Sequence, residues 1–193
     1  MGVPVRLAGI ACVLALAACA SAPPPPAAPA FDAAAAVAAV RAAGQAESRE
    51  LDVQPLRDPQ VEDLRQRAAQ LETRGDFVAA AAALEHALNL QAADAQDPAV
   101  LQERAEVALL LHDLDGAESY ARKSIALGSA TGPLCRRHWE TLLQVAQVRA
   151  RNRAYRDGES DAQATARVGA ADALVKQARH QRDACTINAP ARY

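Results

Sequence analysis

Two cysteines and two histidines sit where a pair of antiparallel helices would bring them together. Cys135 and His138 are three residues apart at the start of one apolar-periodic stretch, and His180 and Cys185 close another. Two thiolates and two imidazoles could hold a tetrahedral zinc ion, while the two thiols alone could form a disulfide with the histidines as bystanders. The residues leave both readings open, although the five-residue step from His180 to Cys185 spaces ligands poorly on a helix. Chemistry is sparse elsewhere. The glycines are isolated and mark turns, so no loop cradles a phosphate, and neither a His-Glu-x-x-His pair nor a Gly-x-Ser-x-Gly elbow occurs. His86 and His112 lack a carboxylate or nucleophile at useful spacing. The carboxylates are spread along helix faces, which suits solvation better than paired acid-base work. The expectation is a protein without enzymatic activity and without a cofactor.

The elements that carry these residues are helical. Of 193 residues, 51% are apolar but only 3% aromatic, with alanine dominating. Such chains form closely packed helices and lack the β-branched and aromatic residues that strands favour, so the fold class is all-α. Asp58-Pro59 and Asp97-Pro98 each pair a capping Asp with Pro at the first helical position. Helical spacing follows in Val61, Leu64, Ala68 and Leu71 up to Gly75, then in Phe77, Ala80, Leu84, Ala87 and Leu88. It returns in Leu101, Ala105, Ala108 and Leu111, then in Leu114, Ala117, Ala121, Ile125 and Leu127 before Gly128. The two halves repeat with an offset of 37 residues, as Leu64 to Leu101 and Ala80 to Ala117. A further pair opens at Gly132-Pro133, carries Trp139, Leu142, Leu143 and Ala146, turns near Asp157-Gly158, and ends on a helix with Ala164, Val168, Ala171, Leu174, Val175 and Ala178. Asp32 caps an Ala-rich helix predicted to reach about Arg49, with Val37 and Val40 as its branched apolar residues.

Between Gln45 and Ala121 there are 16 acidic and 6 basic residues, a net of −10, whereas Arg136 to Tyr193 has 11 basic and 6 acidic, a net of +5. The basic end, with Arg149, Arg151, Arg153 and Arg156, is a candidate surface for an anionic polymer such as cell wall or polysaccharide. Nucleic acid is not the expected partner.

The helix pairs over Val61 to Gly128 resemble tetratricopeptide repeats. The first unit matches at Leu64, Ala68, Leu71, Ala80, Leu84 and Ala87, and the second at Leu101, Ala105, Ala108, Ala117, Ala121 and Ser124. Arg67 and Arg104 depart from the family's Leu, Ala replaces its Gly, and the closing Pro is missing. The pair from Gly132 matches at Trp139, Leu142, Leu143 and Ala146 but has Tyr155 where the family has Ala, as an atypical capping repeat would. The resemblance implies an α-solenoid of two clear helix pairs plus a degenerate third, over residues 57–185. It also implies a groove that grips a partner segment through Glu62, Arg65, Glu72, Gln102, Glu106, Arg137, Glu140 and Gln144. An acidic groove of this kind suits a basic partner.

The N-terminus carries a second resemblance. Arg6 precedes a twelve-residue apolar run from Leu7 that ends in Leu16-Ala17-Ala18-Cys19. The run is too short to span a bilayer, which needs about 20 residues. It is similar to a bacterial lipoprotein signal, which implies removal of residues 1–18 and lipidation of Cys19. Ala20, where Asp would favour the inner membrane, implies an outer-membrane anchor facing the periplasm. Residues 19–56 then read as a Pro/Ala-rich tether with the Ala-rich helix, Pro23 to Pro26 forming a semi-rigid spacer, and 186–193 as a loose tail. In that compartment Cys135 and Cys185 are an even pair and a disulfide is the favoured reading. The implied function is a non-enzymatic scaffold for envelope proteins. Lipoproteins of this architecture serve the assembly of barrel proteins, pili or peptidoglycan.

Overall fold

The computed structural model describes residues 30–45, 56–152, 156 and 158–186. Cys19 with its signal segment, the Pro-rich spacer, Arg153 and the tail beyond Thr186 lie outside the described residues. The described chain is all-helical, with α1 (Ala33–Ala43), α2 (Pro59–Thr73), α3 (Phe77–Asn89), α4 (Pro98–Leu110), α5 (Leu114–Leu127), α6 (Pro133–Arg151) and α7 (Asp161–Ala184). No helix among the described residues is long and apolar enough to cross a membrane.

Local sequence explains the starts. The carboxylates of Asp32, Asp58, Asp76, Asp97 and Asp113 each accept a hydrogen bond from a backbone N–H of the first turn they cap. Each such cap contributes about 1 kcal/mol and places negative charge at the positive end of the helix dipole. Ser160 opens α7 with a reciprocal capping box to Gln163.

The helices form three antiparallel hairpins, α2/α3, α4/α5 and α6/α7, each packed on the next through α3 against α4 and α5 against α6. The 37-residue register governs the first two. Gly75 turns from α2 to α3 in the left-handed region, and 37 residues on His112 does the same with φ 59. A non-glycine residue there is costly, and the Phe31 ring packs edge-on against the His112 imidazole at 5.4 Å. Ala80 and Ala117 are fully buried, as are Ala87 and its counterpart Ser124, whose hydroxyl donates to the Pro98 carbonyl. Small side chains here set how closely the two helices of a hairpin approach. Ala80→Leu and Ala117→Leu are therefore expected to overpack, each lowering stability by roughly 1–3 kcal/mol in thermal or urea melts.

The third hairpin uses the same device at wider spacing, with Ala164, Ala171 and Ala178 buried along α7. Cys135 and Cys185 are bonded across its open end, opposite the turn, S–S 2.02 Å and Cα–Cα 5.8 Å. Counting from the turn puts Cys185 further along its helix than Cys135, a mismatch expected to need fraying or tilt. The structure absorbs it at the other end. Arg167 donates to the carbonyl of Asn152, the last residue of the α6 cap, so the start of α7 overshoots α6 and the cysteines fall level.

The Ala-rich helix is shorter than its composition suggested, ending at Gly44, and it is docked. α1 lies on α4 and α6, with Val37 and Val40 buried among Ala108, Leu109, Ala117 and Val145. Burying each valine contributes roughly 1.5–3 kcal/mol.

Candidate functional site: the face of α2, α4 and α6

The first helix of each hairpin contributes to one face, and α1 covers the part made by α4 and α6. What stays open is a cavity of about 360 Å³ between α1, α2 and α4, edged by Arg41, Glu62, Arg65, Glu72, Glu103 and Arg137. Of the groove residues expected from sequence, Glu62, Arg65 and Glu72 on α2 and Arg137 on α6 do border this opening. Arg65 is not presented to a partner as a lone cation. Its guanidinium binds both oxygens of Glu103 and one of Glu62. Burial opposes the Arg65 charge, but Glu103 and Glu62 outweigh it and hold its pKa above the ordinary value.

Four of the expected positions, Gln102, Glu106, Glu140 and Gln144, need correction. Gln102 and Glu106 are both 0% exposed, and Glu140 is 4% exposed. Gln102 is enclosed between α4 and α6, where it bonds Thr141 and His138, and Glu106 is covered by Arg41 of α1 and by Arg137. Glu106 accepts from Gln102 at 2.9 Å and from Arg137 at 3.0 and 2.5 Å on one oxygen, and from Arg41 of α1 at 2.9 Å on the other. Glu140 points the other way, accepting from Gln144 at 2.6 Å and from Arg182 of α7 at 2.6 Å. Glu140 therefore braces α6 with α7, Gln144 holds Glu140 from one turn further along α6, and neither lines the cavity between α1, α2 and α4.

Behind Glu106 a buried polar ladder runs into the core. Gln102 Nε2 also donates to Thr141 Oγ1 at 2.8 Å, and its Oε1 lies 2.8 Å from His138 Nδ1. His138 Nε2 then faces Ser124 Oγ at 3.3 Å. Because Gln102 spends its amide on Glu106 and Thr141, the His138 proton belongs on Nδ1. Burial first, and the Arg137 charge second, push the His138 pKa down to about 3, so the ring is neutral near pH 7. Ser124, His138 and Gln102 superficially share the order of a nucleophile, a base and an orienting group. All three are enclosed, however, and the Ser124 hydroxyl donates to Pro98, so the ladder holds α4, α5 and α6 together.

The zinc quartet is not assembled. Cys135 and Cys185 are spent on each other, His138 is enclosed with its Nδ1 donating to Gln102, and His180 lies on the exposed side of α7. The described residues contain no group of three or more His, Cys, Asp or Glu able to hold a metal.

The Arg-rich end borders a second cleft, about 900 Å³, between α5 and α7 over α6. Its cations are matched locally. Arg149 binds Asp115 and Glu118, Arg122 binds Glu118, and Arg167 binds Glu159 at 2.8 Å. Arg151 and Arg156 are exposed.

Comparison of the chain with protein-family models, with curated proteins and with solved structures finds no match. Sequence reasoning left open whether the Ala-rich helix docks or stays loose, and it missed Arg41 and Arg136 as the clamps of α1 and the roles of Thr141 and Ser124. The one available signal was Arg41 itself, a single cation directly after a buried valine in an otherwise Ala-rich helix.

Proposed function

We propose that this chain is a membrane-anchored, non-enzymatic adaptor of the bacterial envelope, with a tetratricopeptide-like domain whose α2–α4–α6 face receives a helical segment of a partner protein. One observation carries the reading: that face already holds a helix, α1, laid on α4 and α6 and clamped by Arg41 and Arg136. The 37-residue register, with small residues at Ala80 and Ala117 and left-handed turns at Gly75 and His112, supports the repeat assignment. Anchoring rests on Leu16-Ala17-Ala18-Cys19 and on the spacer that follows. The disulfide suits an oxidising compartment. The rival reading, an Arg-rich surface for wall polymer, is weakened because Arg149 is neutralised by Asp115 and Glu118.

The test joins anchor to groove. Cys19→Ser is expected to leave a larger, unprocessed precursor that incorporates no labelled fatty acid. In wild-type envelopes, a photo-crosslinking residue at Gln66, on the open rim of α2, should trap a defined partner, and one at Arg151 should not. Normal-sized protein extracted without detergent, or crosslinks from Arg151 alone, would overturn the reading. Salt-sensitive retention on isolated wall would favour the rival.

A further inference from the structure

The way α1 is held specifies what else the site could hold. Four features of the site each read one feature of the helix. The floor between α4 and α6 takes two valines three residues apart, Val37 and Val40. A pair of carboxylates takes the cation that follows: Arg41 binds Glu106 at 2.9 Å and Glu72 at 2.6 Å. Arg136 reads the helix end, donating to the carbonyls of Ala43 and Gln45, each at 2.9 Å. Finally, Gly44 is required by close approach, since a Cβ there would lie 2.4 Å from the Arg137 stem, which is itself fixed on Glu106. The pattern is Val-x-x-Val-Arg-x-x-Gly at the C-terminal end of a short Ala-rich helix.

Several observations make α1 an exchangeable resident. Its backbone packs on α4 and α6, and it reaches the other helices only through side chains, Val37 and Val40 sharing a cluster with Ala117 of α5 and Arg41 pairing with Glu72 of α2. Its 11 residues are too few for a stable isolated helix. Its departure does not strand a buried charge, because Glu106 keeps Arg137 and Gln102. We propose that the α4/α6 groove is a receptor for a helix of this pattern supplied by another polypeptide, and that α1 is the built-in occupant which such a partner displaces. The proposal deepens the adaptor reading and rests on it only for where the partner comes from. It also revises the expected partner chemistry. A generally basic segment is replaced by one arginine, placed directly after a β-branched pair and matched by Glu72 and Glu106.

The test uses the full chain and a fluorescein-labelled peptide of residues 30–45. Val40→Asp buries an unpaired carboxylate under α1 and should undock it, leaving α2–α7 in place. Val37→Asn combined with Arg41→Ala is a second, milder opening. Peptide should bind either opened protein at least about tenfold more tightly than wild type, where α1 competes. Replacing Arg41 by Ala in the peptide should weaken binding at least about tenfold, and replacing Gly44 by Leu should do the same. Equal binding to wild type and opened proteins would overturn the proposal. So would no binding to either opened protein when its circular dichroism and disulfide are intact. A wild-type dimer that exchanges α1 between copies would assign the groove to a second copy and also overturn it. Loss of envelope crosslinks with peptide binding intact would remove the adaptor reading alone. The reverse result would remove this inference alone.

Discussion

Glu106→Lys is expected to destabilise the protein by about 3–5 kcal/mol, whereas Glu62→Lys should change stability by no more than about 1 kcal/mol. Both residues were assigned to the open groove by the same register, and the difference comes from what surrounds Glu106: Gln102, Arg137 of α6 and Arg41 of α1. Glu106 is fully buried and accepts hydrogen bonds from Gln102, Arg137 and Arg41. A lysine there would bury its own ammonium against the guanidinium groups of Arg137 and Arg41, and only Arg41 would keep a carboxylate, that of Glu72. Glu62 sits at the rim, and its removal leaves Arg65 still bound to Glu103. Urea melts of the two variants decide the matter. Similar, small losses for both would mean that α1 does not cover Glu106, and the receptor proposal would fall with it. A useful intermediate is Glu106→Gln. It retains acceptor and shape while removing charge, so its loss should fall between the two and separate ionic from packing effects.

The helices themselves were legible because each is announced locally. Five of the seven begin at an aspartate that caps its own first turn, and their apolar residues recur at helical spacing. Ala80 and Ala117 were legible for a related reason, since a repeat in sequence forces a repeat in packing. The site was legible only as far as repeat geometry reaches. Glu62, Arg65, Glu72 and Arg137 border the opening as the register requires. Gln102 and Glu106 were given the wrong environment, because burial there depends on residues far away in sequence: Thr141 and His138 of α6 enclose Gln102, and Arg41 of α1 reaches Glu106 across 65 positions. Alanine-rich helices advertise little about what they pack against. Val37 and Val40 alone do not say whether the partner is this chain or another. Glu140 and Gln144 failed differently: an atypical third hairpin has no counterpart against which to set its register, and Arg182 of α7 captures Glu140.

Replacing Cys135 and Cys185 together by serine is expected to cost about 4 kcal/mol, the other large effect. The bond closes a chain loop with a sequence separation of 50, and in the chain-entropy account a loop of that size restricts the unfolded chain by about 4 kcal/mol. The position of the bond concentrates the consequence. α7 packs on α6 and on no other helix to comparable extent, so α7 is held by that interface and by this link. The carbonyl of Cys185 also accepts from Gly132 N at 2.8 Å, tying the end of α7 to the start of α6 beside the Arg136 clamp on α1. Loosening that end should therefore be felt at the groove. Reduction of the wild-type protein should lower its melting temperature and also tighten binding of the residue 30–45 peptide, since α1 is then held less firmly. If reduction lowers stability but leaves peptide binding unchanged, the disulfide braces the hairpin alone and the coupling to α1 is absent. Hydrogen exchange gives an independent reading. Amides of α7 should lose protection first in the reduced protein, with α2 and α3, two hairpin layers away, keeping theirs.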